Sequence, residues 1–171
     1  MLEADASIDN PDVLVLRADG QDTAVEQRAA ALWATGRIRA VALFGEPFTS
    51  DTSISPGPSP RVKTLAALGI PTDRILSMYE GEDLYDQMVD LRDGLRRANL
   101  SRVLFLSTEP GTRRNLVIAR RVLGGSGMEV GQEAIASPRY DPETWWLDGP
   151  SRTRVILNLT SLLITLAVSR G

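Results

Sequence analysis

The sequence predicts a single α/β domain, a three-layer Rossmann-like fold with a mainly parallel five-stranded sheet and helices on both faces. Short uninterrupted apolar runs recur along the chain, and most are followed by a helical pattern with one apolar face. Such runs are typical of strands covered on both faces, and the alternation favours right-handed β-α-β units on one sheet. With 171 residues and no internal repeat, we expect one domain over residues 1–171.

The same patterns locate the elements. Strands are predicted at residues 12–16, 40–44, 74–77, 102–107 and 128–136. Helices are expected to begin at residues 23, 61, 84, 113 and 151. Thr23 and Glu26 have the spacing of a capping box, in which hydroxyl and carboxylate satisfy free amides at a helix start, and Asp83 is placed to cap the third helix.

Three segments fall outside this pattern. Residues 1–11 are acidic and lack the apolar core of a signal peptide, so we expect a flexible N-terminus and a cytoplasmic protein. Residues 46–60 are rich in Ser, Thr, Pro and Gly, which predicts a flexible loop or lid. The apolar stretch 155–168 is shorter than the roughly 20 residues of a membrane-spanning helix, and we expect a buried or dimer-forming final helix.

Composition removes several classes of function. The chain has no Cys and no His, which excludes thiol nucleophiles, thiolate zinc sites, imidazole bases and Ser-His-Asp triads. A net charge of −3 and dispersed arginines disfavour nucleic acid as a partner. Neither a dinucleotide-binding glycine motif nor a P-loop follows a predicted strand, so no cofactor is identified.

A ligand site is predicted beyond the carboxyl ends of the strands, where open parallel sheets bind their ligands. Helix N-termini present free amides there and favour an anion such as phosphate. Arg113 and Arg114, at the start of a helix, are placed to clamp such an anion, although two surface arginines would give the same pattern. The strand-end residues expected at the site are Arg17, Asp19, Gly20, Gly45, Glu46, Thr108 and Glu109.

The alternative is a metal-dependent hydrolase or transferase. Asp19, Glu46 and Glu109 each follow a predicted strand, and carboxylates with water are the ligands that Mg²⁺ prefers. Strand-end carboxylates are common in α/β proteins, so we assign no metal site.

The order of motifs resembles the YdcF/SanA/ElyC-like family of bacterial α/β domains. The resemblance covers most of the chain and is carried by residues 12–16, Arg28 with Leu32 and Gly36, residues 68–71 before 74–76, Leu106–Ser107 followed by Thr112–Arg114, and Trp145–Trp146 before Arg154. It implies a Rossmann-like fold, a link to cell-envelope biology, and a polar pocket at the strand ends with the polar groups Arg28, Ser107, Arg113, Arg114 and Arg154.

The chain also departs from the family pattern. The family's glycine-rich turn is replaced by residues 17–20 and its Ser-Gly-Gly turn by residues 44–46. Its threonine, histidine, late glutamate and late lysine are missing at residues 83–85, 110–111, Leu159 and Ser161.

The sequence therefore favours a non-catalytic or degenerate binder of an anionic small molecule of the nucleotide or phosphate type. A homodimer that forms through the final helix is compatible with this function and is also a separate alternative, as a structural protein.

Overall fold

The computed structural model describes most of the chain. The described residues are 6–18, 23–45, 59–78, 83–108 and 112–136, followed by 143–147, 149, 152–153, 155–157, 159–160 and 163.

Strands and helices alternate from the first strand to the last. In chain order they are β1 (Val13–Arg17), α1 (Thr23–Ala34), β2 (Ala40–Phe44), α2 (Pro60–Ala67), β3 (Ile75–Met78), α3 (Leu84–Arg97), β4 (Arg102–Thr108), α4 (Thr112–Val122) and β5 (Glu129–Ile135). The predicted strand boundaries hold to within one residue.

All five strands are parallel and lie in the order β3-β2-β1-β4-β5. The sheet is covered on both faces. Side chains of α3 and α4 pack with Val13, Val15 and Phe105 on one face, and those of α1 and α2 pack with Leu14 and Leu16 on the other. The predicted three-layer Rossmann-like fold is confirmed.

The sheet separates into two halves at its carboxyl edge. β1 stays paired with β2 to its last residue, Arg17, and β4 with β5 to its last residue, Thr108, whereas the register between β1 and β4 ends at Val15↔Phe105. The strand order changes direction between the same two strands. Open α/β sheets bind ligands at this switch point.

Helix starts differ in detail from the sequence prediction. α2 begins at Pro60, and the Ser59 hydroxyl accepts a hydrogen bond from the Val62 amide, so both residues belong to the helix start rather than to the preceding loop. Proline suits the first helical position because its missing N–H would have no partner there. Asp83 caps α3 as predicted, through the Asp86 amide. The predicted loop at residues 46–58 lies outside the described part of the chain.

Residues 6–11 are anchored instead of forming part of a flexible N-terminus. Ala6 and Gln132 of β5 exchange backbone hydrogen bonds of 2.8 Å in an antiparallel bridge, and Pro11 is buried. An edge strand leaves backbone groups unpaired, and this segment satisfies two of them on β5.

The final segment is helical at the positions that the structure describes between 149 and 163. Val155 is buried there, while Ile156, Leu157 and Leu163 are exposed. Within the described residues, no helix is both long and apolar enough to span a bilayer.

The Gly131→Ala variant tests the anchoring of residues 6–8. A Cβ at Gly131 would lie 2.7 Å from the Ala6 carbonyl oxygen and 2.7 Å from Ile8 Cγ2, so we expect the bridge to open and the free energy of unfolding to fall by about 1–3 kcal/mol. Chemical denaturation and faster amide exchange at Gln132 measure the effect. Gly125→Ala, which meets nothing within 4 Å, is the matched control. Equal stability of the two variants would contradict the anchoring.

Candidate functional site

The carboxyl edge of the sheet, on the face covered by α3 and α4, gathers a set of polar side chains. Alternation along β1 places Arg17 on this face with Val13 and Val15. Gly45 follows β2 with a φ of 82°. A Cβ at Gly45 would lie 3.2 Å from Gln87 Oε1 and 3.4 Å from Arg17 Nη2, so these two side chains converge on the same point.

Two phenylalanines form an apolar floor under these groups. The Arg17 guanidinium carbon lies 5.5 Å from the centre of the Phe44 ring, which is within the range of a cation-π contact. Phe44 in turn meets Phe105 edge to face, with ring centres 6.0 Å apart. Phe44 ends β2 and Phe105 lies in β4. The two rings therefore span the place at which β1 and β4 stop pairing.

Arg114 adds a second positive charge from the first turn of α4. Its Nε is buried and has no hydrogen-bond partner. Burial lowers the pKa of Arg114, and the positive charge of Arg17 lowers that pKa further, whereas Asp83 acts in the opposite direction. The charge of Arg17 therefore disfavours the charged form of Arg114 and the Asp83 carboxylate favours it, and a bound anion would act in the same direction as Asp83.

Two buried glutamines supply neutral polar atoms on the same face of the sheet. Gln132 is fully buried, and its Nε2 donates a hydrogen bond of 3.1 Å to Ser107 Oγ at the end of β4. The Oε1 atoms of Gln87 and Gln132 are buried and accept no hydrogen bond.

Among the described residues, the buried side-chain atoms without a partner are these two oxygens and Arg114 Nε. All three lie on the side of the sheet that α3 and α4 cover. A buried polar group without a partner costs about 1–3 kcal/mol, so folded proteins retain few of them, and their concentration here marks a candidate binding site. We call these groups the strand-end cluster, which consists of Arg17, Gly45, Gln87, Ser107, Arg114 and Gln132.

Of the residues that the sequence assigned to the site, Arg17 and Gly45 lie together, and Arg114 is near enough for the charge of Arg17 to lower its pKa. Ser107 lies near the end of β4 on the same face, and Arg154 lies outside the described residues. Thr108 lies at the same edge, but alternation along β4 places it on the face covered by α1 and α2. The remaining strand-end predictions lie outside the described residues, as does the Arg113 side chain. They are Asp19, Gly20, Glu46 and Glu109.

Arg28 lies elsewhere, and its predicted place in the strand-end pocket is corrected. Its Nε donates a hydrogen bond of 2.6 Å to Glu133 on β5, and this bond raises the pKa of Arg28. The pair lies on the face covered by α1, beside a groove of about 380 Å³ that Arg37 and Ile8 also line. The position of Arg28 on α1 therefore directs it to β5 and away from Arg17 and Arg114.

Sequence reasoning missed both glutamines. Gln87 lies three residues after Leu84, on the apolar stripe of α3, and Gln132 follows Val130 at the two-residue spacing that faces one side of a strand. A neutral amide at an apolar position was the available signal, because such a side chain must find partners inside the protein.

A buried ion pair supports the cluster from the opposite face. Arg61 Nε lies 3.1 Å from Glu26 Oε1, and both side chains are more than nine-tenths buried. Arg61 Nη1 also donates a hydrogen bond to the carbonyl oxygen of Arg17. The Glu26 carboxylate, which the sequence assigned to a capping box, thus orients a guanidinium that binds the end of β1.

The metal-dependent alternative has no support in the described residues. No group of three acidic, His or Cys side chains that could hold a metal ion occurs in that part of the chain. The three carboxylates proposed for Mg²⁺, Asp19, Glu46 and Glu109, lie outside it, so this alternative stays a prediction.

Comparisons with known proteins do not identify a family for this chain. No model of a known protein family matches the chain, and no curated protein matches its sequence. Among solved structures it is similar to a Rossmann-fold NAD(P)-binding family protein from Shigella flexneri, with 16% sequence identity and a TM-score of 0.34. The match covers 72% of this chain and 66% of that chain, just under two thirds. The fold assignment rests on the strand order and the two helical layers.

Replacing each of two arginines by methionine separates a structural role from a binding role. Arg61→Met leaves the Glu26 carboxylate buried without its partner, and we expect a loss of about 3–5 kcal/mol in the free energy of unfolding. Arg114→Met removes a desolvated charge that Arg17 repels, and we expect the free energy of unfolding to stay constant or rise. Urea denaturation in a buffer without multivalent anions measures both.

The exposed Arg121 on the same helix provides the control, because Arg121→Met should change stability by only a few tenths of a kcal/mol. A loss in Arg114→Met as large as that in Arg61→Met would show that Arg114 is a structural residue.

Proposed function

We propose that this chain is a Rossmann-like binding domain that holds an anionic small molecule, of the phosphate or nucleotide type, at the strand-end cluster. The observation that carries the proposal is the pair of neighbouring guanidiniums, one of which buries an Nε without a partner. An anion between Arg17 and Arg114 would accept hydrogen bonds from both side chains and remove their mutual repulsion.

The backbone favours the same ligand. α4 begins at Thr112, directly beyond the carboxyl end of β4, so the positive end of its dipole faces the cluster. Helix N-termini at such sites bind phosphate through free amides, and Arg114 lies in the first turn of this helix. The free amides of α4 and the Arg114 side chain therefore both favour an anion at the same place.

The described side chains of the cluster suit binding better than turnover. Arginine keeps its proton at neutral pH, and the glutamine carboxamide does not act as an acid or a base. Since the chain has neither His nor Cys, no group in the described cluster titrates near neutral pH. We therefore propose that these described side chains bind the ligand and do not transform it.

Family and location remain part of this proposal. The order of motifs and the parallel fold support membership of the YdcF/SanA/ElyC-like family and, through it, a cytoplasmic role connected with the cell envelope.

Titration with inorganic phosphate and pyrophosphate tests the proposed site. We expect calorimetry to detect binding by the unmodified chain, and Arg114→Gln to weaken it about tenfold to a hundredfold, since a hydrogen bond to a charged group contributes about 1.5–3 kcal/mol. Arg28→Gln is the matched control, because Arg28 pairs with Glu133 on the opposite face and should leave binding unchanged. Equal losses in the two variants would place the anion elsewhere.

A second candidate function is homodimer formation through the final helical segment. Its described positions expose Ile156, Leu157, Leu159 and Leu163, and exposed apolar side chains in one segment are typical of interaction surfaces.

Light scattering tests this second function. A dimer gives twice the 18.6 kDa mass of the chain, and Leu157→Gln should shift it towards the monomer because this side chain is 62% exposed in the single chain. A monomeric mass for the unmodified chain at high concentration would rule the dimer out.

A further inference from the structure

We infer that the ligand of the strand-end cluster is a hydroxylated anion, a phosphomonoester whose organic part carries hydroxyl groups, as in polyol and sugar phosphates. The inference rests on the proposed function and deepens it. The arginines account for binding of an anionic group, but they give no partner to the two buried glutamine oxygens.

Gln87 Oε1 is the first acceptor. The side chain comes from α3, Gln87 is 8% exposed, and the oxygen has no hydrogen-bond partner. A Cβ built on Gly45 would lie 3.2 Å from this oxygen and 3.4 Å from Arg17 Nη2, so the carboxamide and the guanidinium approach the same point. A ligand that reaches Arg17 therefore passes beside a carboxamide oxygen.

Gln132 Oε1 is the second acceptor. Its amide nitrogen is fixed by Ser107 Oγ, which orients the carboxamide at the end of β4. Gln132 is fully buried, so bulk water does not hydrate the oxygen.

A bare anion satisfies the arginines and leaves the two glutamine oxygens without a donor. A phosphate oxygen is negatively charged and a carboxamide oxygen carries a partial negative charge, so they repel unless a hydrogen atom lies between them. A hydroxyl donates to a glutamine oxygen, while the phosphate of the same molecule accepts from Arg17 and Arg114. Sites that are built to hydrogen-bond a hydroxyl discriminate strongly against the analogue that lacks it, because the buried acceptor is then left unpaired.

The test compares two ligands of similar length, glycerol 3-phosphate and n-propyl phosphate, which lacks both hydroxyls. We expect calorimetry on the full chain to show at least a tenfold preference for glycerol 3-phosphate. In Gln87→Met, which keeps the length of the side chain and removes the acceptor, the preference should fall below threefold with propyl phosphate affinity unchanged. Gln132→Met is measured alongside it as the second acceptor.

The outcomes distinguish the proposed anion site from the recognition of hydroxyl groups by the glutamines. If the unmodified chain binds neither phosphate, the proposed function fails, and this inference fails with it. If it binds both equally, the anion site stands and the hydroxyl inference is overturned. If both Gln87→Met and Gln132→Met still prefer glycerol 3-phosphate, the glutamines do not bind the hydroxyls, and the inference is overturned. Should Gln87→Met fail to fold, the preference of the unmodified chain alone decides whether the ligand is hydroxylated.

Discussion

Parallel pairing of all five strands brings their carboxyl ends to one edge of the sheet, and the candidate site depends on that constraint. The order β3-β2-β1-β4-β5 then makes the chain leave β1 and β4 in opposite directions across the sheet, and the two strands stop pairing after Val15 and Phe105. Side chains near the ends of both halves are thereby freed from the apolar packing that fills the rest of the sheet. Arg17 and Ser107 occupy this position on one face.

Two arginines near this edge have opposite energetic roles. Arg61 is buried against Glu26 and binds the carbonyl of Arg17, so its charge is compensated and it fixes the backbone. Arg114 buries an unpaired Nε beside another positive charge, which costs stability in the absence of an anion. A ligand that supplied the missing charge would recover that cost as binding energy, since binding to the folded state alone stabilises it. Arg61 is thus paired with a carboxylate beside the site, whereas Arg114 Nε within the site has no hydrogen-bond partner.

The sequence predicted the fold more fully than the site. Uninterrupted apolar runs located the five strands because burial on both faces leaves a clear signature, and strand-end position located Arg17 and Arg114. The family resemblance placed Ser107 and Arg28 in the pocket, but α1 lies on the other face of the sheet and directs Arg28 to Glu133. Sequence reasoning also missed Gln87 and Gln132, because neutral amides within apolar patterns have no charge signature and only the packed structure shows that their oxygens lack partners.

The central claim is that Arg114 Nε, buried without a partner, donates to an anionic ligand. NMR of arginine side chains labelled with ¹⁵N, titrated with inorganic phosphate, observes this atom directly. The account predicts that the Nε resonance of Arg114 shifts and saturates with the binding curve, while those of Arg28 and Arg61, which already donate to Glu133 and Glu26, remain unchanged. A stationary Arg114 resonance in the presence of bound phosphate would contradict the account.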